Sequence, residues 1–74
     1  MRITVKLFAT LRAYGPPSRK LEVQEGGTLA DLVKTLLLPE DIPLVMIVNG
    51  LHARPSYILR EGDEIAFFPP IAGG

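Results

Sequence analysis

Chemistry concentrates in one stretch of this 74-residue chain, Phe67-Phe68-Pro69-Pro70-Ile71-Ala72-Gly73-Gly74. The proline pair favours stiff, extended backbone and stops further strand pairing. Ile71-Ala72-Gly73-Gly74 then forms an arm that spans up to ~14 Å when extended. Glycine at its tip lets backbone enter a slot that any β-carbon would block. What the arm presents is the α-carboxylate of Gly74. With a pKa of ~3.5 that group is anionic at neutral pH and repels nucleophiles. It becomes an acyl donor after activation, for instance as a mixed anhydride with AMP. The chain has no nucleotide-binding motif, so activation falls to a partner. An ordinary frayed terminus is the competing reading of the same residues.

The rest of the sequence is poor in catalytic groups. There is no cysteine and a single histidine, His52. Disulfides, zinc-thiolate sites and a cysteine nucleophile are excluded, and a histidine-built metal site is not expected. No phosphate loop and no Ser/His/Asp set is present. Glu61, Asp63 and Glu64 crowd one turn and read as a solvated cluster, with contact to a basic partner as the second option. Glu40 and Asp41 read as solvated, and His52 as a partly exposed residue. Phe8 and Phe68 differ, because both fall out of phase with the core positions of their strands. If the first and last strands are neighbours, the two rings share one exposed patch, and such patches mark partner surfaces. Inward curling of the rings is the alternative.

These groups need a scaffold. The length fits one domain, residues 1–74 with 69–74 as a projecting arm. Its apolar fraction of 47% must supply the core unaided by disulfides. Eight basic residues balance eight acidic ones. No block of like charge marks a nucleic-acid or polybasic membrane binder. No apolar run approaches the ~20 residues of a membrane span, and the start lacks the apolar block of a signal peptide. A cytoplasmic location is the expectation.

Ile3, Val5 and Leu7 alternate with Thr4, Lys6 and Phe8, the period of a half-buried strand. Tyr14-Gly15-Pro16-Pro17-Ser18 reads as a loop. Leu21 and Val23 lie in a second strand, paired with the first as an antiparallel hairpin. Thr28 stands three residues before Asp31 as a helix N-cap. Leu29, Leu32, Val33 and Leu36 form one helical stripe, which Pro39 ends a residue or two earlier. Val45–Val48 is a strand closed by the turn signal Asn49-Gly50, with Leu51-His52-Ala53 as a brief return strand. Glu64–Phe68 is the last strand, with Ile65 and Phe67 on one face. One helix covers one face of such a sheet, which gives a two-layer α+β domain.

Three segments carry a family resemblance: "VKLFATLR" (Val5 to Arg12), "VNG" (Val48 to Gly50) and "LREGDEIAFFPPIAGG" (Leu59 to Gly74). The chain resembles the ubiquitin-like sulfur carriers over nearly its whole length, most closely the small subunits of molybdopterin synthases. The resemblance implies the β-grasp fold, a mixed sheet clasping one helix. It implies a carrier that binds no cofactor and is not catalytic alone, with ATP used by a partner adenylating enzyme of the ubiquitin-activating type. Gly74 would be adenylated and then sulfurated to a thiocarboxylate by a sulfurtransferase or cysteine desulfurase, with Gly73 as the slim neck. Phe8 and Phe68 match family positions that dock the adenylating enzyme or the large synthase subunit. Pro69, Pro70, Ile71 and Ala72 belong to the same partner-bound stretch. Two sulfurs would go to a pyranopterin to build the dithiolene of the molybdenum or tungsten cofactor. Relatives serving thiamine, tRNA thiolation or cysteine, and ubiquitin-like protein modifiers, share the activated glycine.

Overall fold

The computed structural model describes residues 1–70. The arm residues Ile71, Ala72, Gly73 and Gly74 lie outside them. Five strands are formed: β1 (Arg2–Leu7), β2 (Ser18–Glu22), β3 (Val45–Val48), β4 (Leu51–His52) and β5 (Glu64–Phe68). They make one sheet in the order β2-β1-β5-β3-β4. The central β1 and β5 run parallel, with Val5 opposite Ile65 and Leu7 opposite Phe67. The other pairs are antiparallel, so the sheet is mixed. The helix α1 (Leu29–Thr35) supplies the second layer.

Strand alternation decides which face is buried. Ile3, Val5 and Leu7 of β1, and Ile65 and Phe67 of β5, are at most 2% exposed. They join Leu29, Leu32, Val33 and Leu36 from the helical stripe in one apolar core. Burying a side chain of this size stabilises by about 1.5–3 kcal/mol. Truncating Phe67, which is fully buried, is the change that would cost most, about 3–5 kcal/mol.

The helix starts where the sequence places its cap. The Thr28 hydroxyl accepts the Asp31 N–H at 3.2 Å, and the Asp31 carboxylate accepts the Thr28 N–H at 3.0 Å. This reciprocal box satisfies two of the orphan donors of the first turn. The helix ends with Leu36 as its cap and Leu37 in the left-handed region at φ 58°. The Leu37 N–H donates to the Lys34 carbonyl, and the Leu38 N–H to the Val33 carbonyl. That pair of bonds is a Schellman close, with leucine where glycine usually relieves strain.

Two expectations shift. A 3₁₀ helix spans Ala9–Tyr14 and buries Leu11, in a stretch whose first half carried no strong pattern. The second strand is Ser18–Glu22, two residues earlier than its Leu21/Val23 alternation suggested. Pairing with β1 sets that register, since Arg2 to Lys6 face Glu22 to Ser18. Leu21 and Val23 still pack against the core, as partly buried residues. The Asn49-Gly50 turn forms with both residues at positive φ, 50° and 85°, as a two-residue hairpin of this type requires.

Candidate functional site

The face of the sheet away from α1 is built by the other half of each alternation. It carries Thr4 and Lys6 from β1, Glu64, Ala66 and Phe68 from β5, and Val45 and Ile47 from β3. Phe8, one residue past β1, is tied to the same place by its N–H, which donates to the Phe67 carbonyl at 3.1 Å. The parallel pairing of β1 and β5 thus brings Phe8 beside Phe68. Their rings stack with centroids 4.3 Å apart and planes 12° from parallel. Both rings are half-buried, in part by each other. The expected shared patch forms, and neither ring is fully absorbed by the core.

Register extends the patch beyond the two rings. Val45 lies opposite Phe68, and Ile47 opposite Ala66. All are half-buried. The result is an apolar strip across three strands at the end where β5 gives way to Pro69 and Pro70. Sequence reasoning placed Val45 and Ile47 in a uniformly apolar strand and missed their part in this face. Alternation was invisible there because Met46 and Val48 on the core side are apolar too. Lys6 and Glu64 flank the strip as an ion pair of 2.7 Å. His52, exposed on β4, stands opposite Ile47 at the far edge. Aromatic and aliphatic groups ringed by charge suit a protein partner. Nothing in the strip is a nucleophile or general base. Among the described residues, no group of three or more His, Asp or Glu is arranged to hold a metal ion.

The acidic turn is a correction. Asp63 is not solvated: it is 5% exposed and the buried charge of the described chain. Its Oδ2 accepts from the Tyr57 hydroxyl at 2.8 Å and the Arg60 N–H at 2.9 Å, and its Oδ1 accepts from Asn49 Nδ2 at 2.9 Å. Asn49 Oδ1 in turn accepts the Glu64 N–H at 2.9 Å. Burial opposes ionisation of Asp63, but the hydrogen bonds from Tyr57, Arg60 and Asn49 outweigh it and hold the carboxyl below its usual value. The hydrogen bond to Asp63, with burial adding to it, pushes the Tyr57 phenol up. Glu61 and Glu64 are exposed, as expected, though both are engaged: Glu61 accepts the Arg2 N–H at 3.0 Å, and Glu64 pairs with Lys6. A carboxylate holding three donors from separate segments is a clasp at the start of β5, not a partner contact. The missed signal was Asn49, whose side chain does more than favour the turn.

A mixed five-stranded sheet with a parallel central pair, clasping one helix, is the ubiquitin-like β-grasp. The chain belongs to the ThiS family, whose model matches residues 5–74. It is 33% identical to the molybdopterin synthase sulfur carrier subunit of Mycobacterium tuberculosis, over all of this chain and 99% of that protein. It is 32% identical to the subunit of the same name from Arabidopsis thaliana, over all of this chain and 84% of that one. Among solved structures it is similar to SAMP1 of Haloferax volcanii, with 27% identity, a TM-score of 0.78 and full coverage of both chains.

Proposed function

We propose that this chain is a sulfur carrier whose Gly74 carboxylate is adenylated and converted to a thiocarboxylate, for molybdopterin synthesis. The observation that carries this reading is the extent of the family match. It runs through Gly74, so the likeness includes the arm as well as the folded body. The full-length likeness to two molybdopterin synthase sulfur carrier subunits supports the pathway.

The chemistry divides between carrier and partners. A partner adenylating enzyme binds ATP, and the Gly74 carboxylate attacks the α-phosphorus, releasing pyrophosphate. Neutralising the carboxylate in this way makes its carbon electrophilic. A persulfide from a sulfurtransferase or cysteine desulfurase displaces AMP, and a thiol then cleaves the S–S bond to leave the thiocarboxylate. The large synthase subunit receives the loaded arm, and the sulfur passes to the pterin precursor. This chain contributes position. The Phe8–Phe68 strip docks the partner, Pro69-Pro70 aims the arm, Ile71 and Ala72 engage its channel, and Gly73 passes the narrowest point.

The test is intact mass after incubation with ATP, the cognate adenylating enzyme and a persulfide source. Exchange of one oxygen for sulfur, absent when Gly74 is deleted, supports the reading. An unmodified carboxylate with an active cognate enzyme defeats it. The likeness to SAMP1, also described as small archaeal modifier protein 1, favours one second reading, a covalent protein modifier. Conjugates on target lysines, formed from the same adenylate, would distinguish it.

A further inference from the structure

The helix side of the molecule carries a second apolar surface, on the reverse of the sheet from the Phe8–Phe68 strip. It is a groove of about 460 Å³ between α1, the connector after it and the segment after β4. Ala30 and Val33 line it from the helix, and Leu44, Met46 and Ala53 from the sheet side. Two charged residues also line it, Glu40 and Arg54. Their placement follows from the chain path. The Ala30 N–H donates to the Pro55 carbonyl at 3.0 Å, which sets Arg54 near the N-terminal end of α1. Glu40 follows the other end of the helix, in the connector beyond Leu38. Both are exposed, and neither forms an ion pair among the described residues.

Leu37 sharpens the picture. It lies in sequence between Val33 and Pro39, both of which line the groove. It is 79% exposed and held at φ 58°. Left-handed backbone costs a non-glycine residue about 1–2 kcal/mol, and an exposed leucine returns nothing to the fold. The groove thus carries opposite charges toward its two ends, and the helix that lines it closes on a strained, exposed leucine.

We propose that this face is self-complementary and that its occupant is a second copy of this chain. A two-fold axis through the middle of the groove exchanges its ends. Arg54 of each copy then meets Glu40 of the other, and each Leu37 turns toward the opposite groove. The formal net charge is zero, so no overall repulsion opposes pairing. A foreign partner would have to present both signs at the same spacing, which this chain already does. The groove is small, which places the contact in the weak, reversible class. Both open sheet faces stay free in the pair. The inference does not depend on the carrier reading.

Sedimentation velocity on the full chain tests it, from about 10 μM to about 1 mM. The weight-average coefficient should rise with concentration toward that of a dimer. Arg54→Glu and Glu40→Arg should each weaken association roughly tenfold, by setting like charges face to face. The double variant should restore it, because the pair is swapped and not removed. Leu37→Ser should weaken it as well, and Phe68→Asp should leave it unchanged. A monomer at every concentration overturns the proposal. So does a double variant that stays as weak as the single ones, or association lost through Phe68→Asp, which would move the contact to the open face. Thermal melts of each variant separate loss of association from loss of fold.

Discussion

Replacing Asp63 with alanine should destabilise the fold by about 3 kcal/mol. The carboxylate takes three donors, from Asn49, Tyr57 and Arg60, at 2.8–2.9 Å. A hydrogen bond to a charged group is worth about 1.5–3 kcal/mol net. The three do not add in full. Asn49 and Arg60 are exposed residues, and their donors can turn to water once the carboxylate is gone. The half-buried Tyr57 hydroxyl has less freedom to do so. The loss is therefore nearer to two such bonds at the low end of their range than to three. A domain of 74 residues has a total stability of about 4–11 kcal/mol, so the variant should fold with little margin. Its Tm should drop by about 12–24 °C. Urea unfolding at neutral pH, followed by circular dichroism, gives the number directly. Asp63→Asn keeps an acceptor but loses the charge and should fall between wild type and alanine. A loss under about 0.5 kcal/mol, the level of an ordinary surface change, would refute the clasp and return the acidic turn to solvent.

The same carboxylate gives the fold an acid limit. Its folded pKa lies below the unfolded value, so the unfolded chain binds the proton more tightly; stability is full above about pH 5 and falls as pH drops through 4. Urea midpoints against pH should show this decline, and Asp63→Asn should flatten it. Tyr57 acts at the other end: its phenol is raised, so its contribution is complete below about pH 10 and is lost above that, and Tyr57→Phe should remove this alkaline decline. Phe68→Asp should leave the melting curve cooperative, because the ring is half-exposed, while abolishing measurable binding in calorimetry to the adenylating enzyme proposed as partner; a variant that unfolds instead would place Phe68 in the core. Leu37→Gly should raise stability by up to about 1 kcal/mol, since glycine relaxes the left-handed cap at some entropic cost; a clear fall in Tm would show that the leucine packs.

Most of the architecture was legible because local and global preferences agree along this chain. The helix is an instance: Thr28 and Asp31 cap it, its apolar stripe faces the sheet, and all signals point one way. The 3₁₀ helix was not legible. Its single buried anchor, Leu11, offers no periodicity, and its neighbours are small or polar. The Phe8–Phe68 pair could be anticipated from phase alone, because each ring breaks the alternation of a strand whose core side is clear. Val45 and Ile47 could not, since a strand apolar on both faces gives period no purchase. Asp63 misled for a different reason. One carboxylate among three in a charged turn looks solvated until the donors that fold around it are known, and those come from residues three, six and fourteen positions away.

These features lie at opposite ends of β5, the clasp at its start and the open strip at its end. The strand begins at the clasp, where Asp63 holds Asn49 at the end of β3 and the Asp63 carbonyl accepts the Thr4 N–H of β1 at 2.9 Å. Both neighbours are thereby fixed to β5 at one end. At the other end the last rungs are the Phe8 N–H to the Phe67 carbonyl and the pairing of Val45 with Phe68. Five residues of strand, about 16 Å, separate the two. The clasp is too far from the open strip for a direct contact with a partner seated there. Register, held along β5 by its ladders to β1 and β3 and by the buried face of the strand, decides which side chains reach that strip, because a slip of one residue would send Phe68 inward and Phe67 out. Asp63→Ala should therefore lower stability while leaving partner affinity per folded molecule near wild type. A disproportionate loss of affinity at a temperature where the variant is fully folded would mean that the clasp holds register as well as the fold.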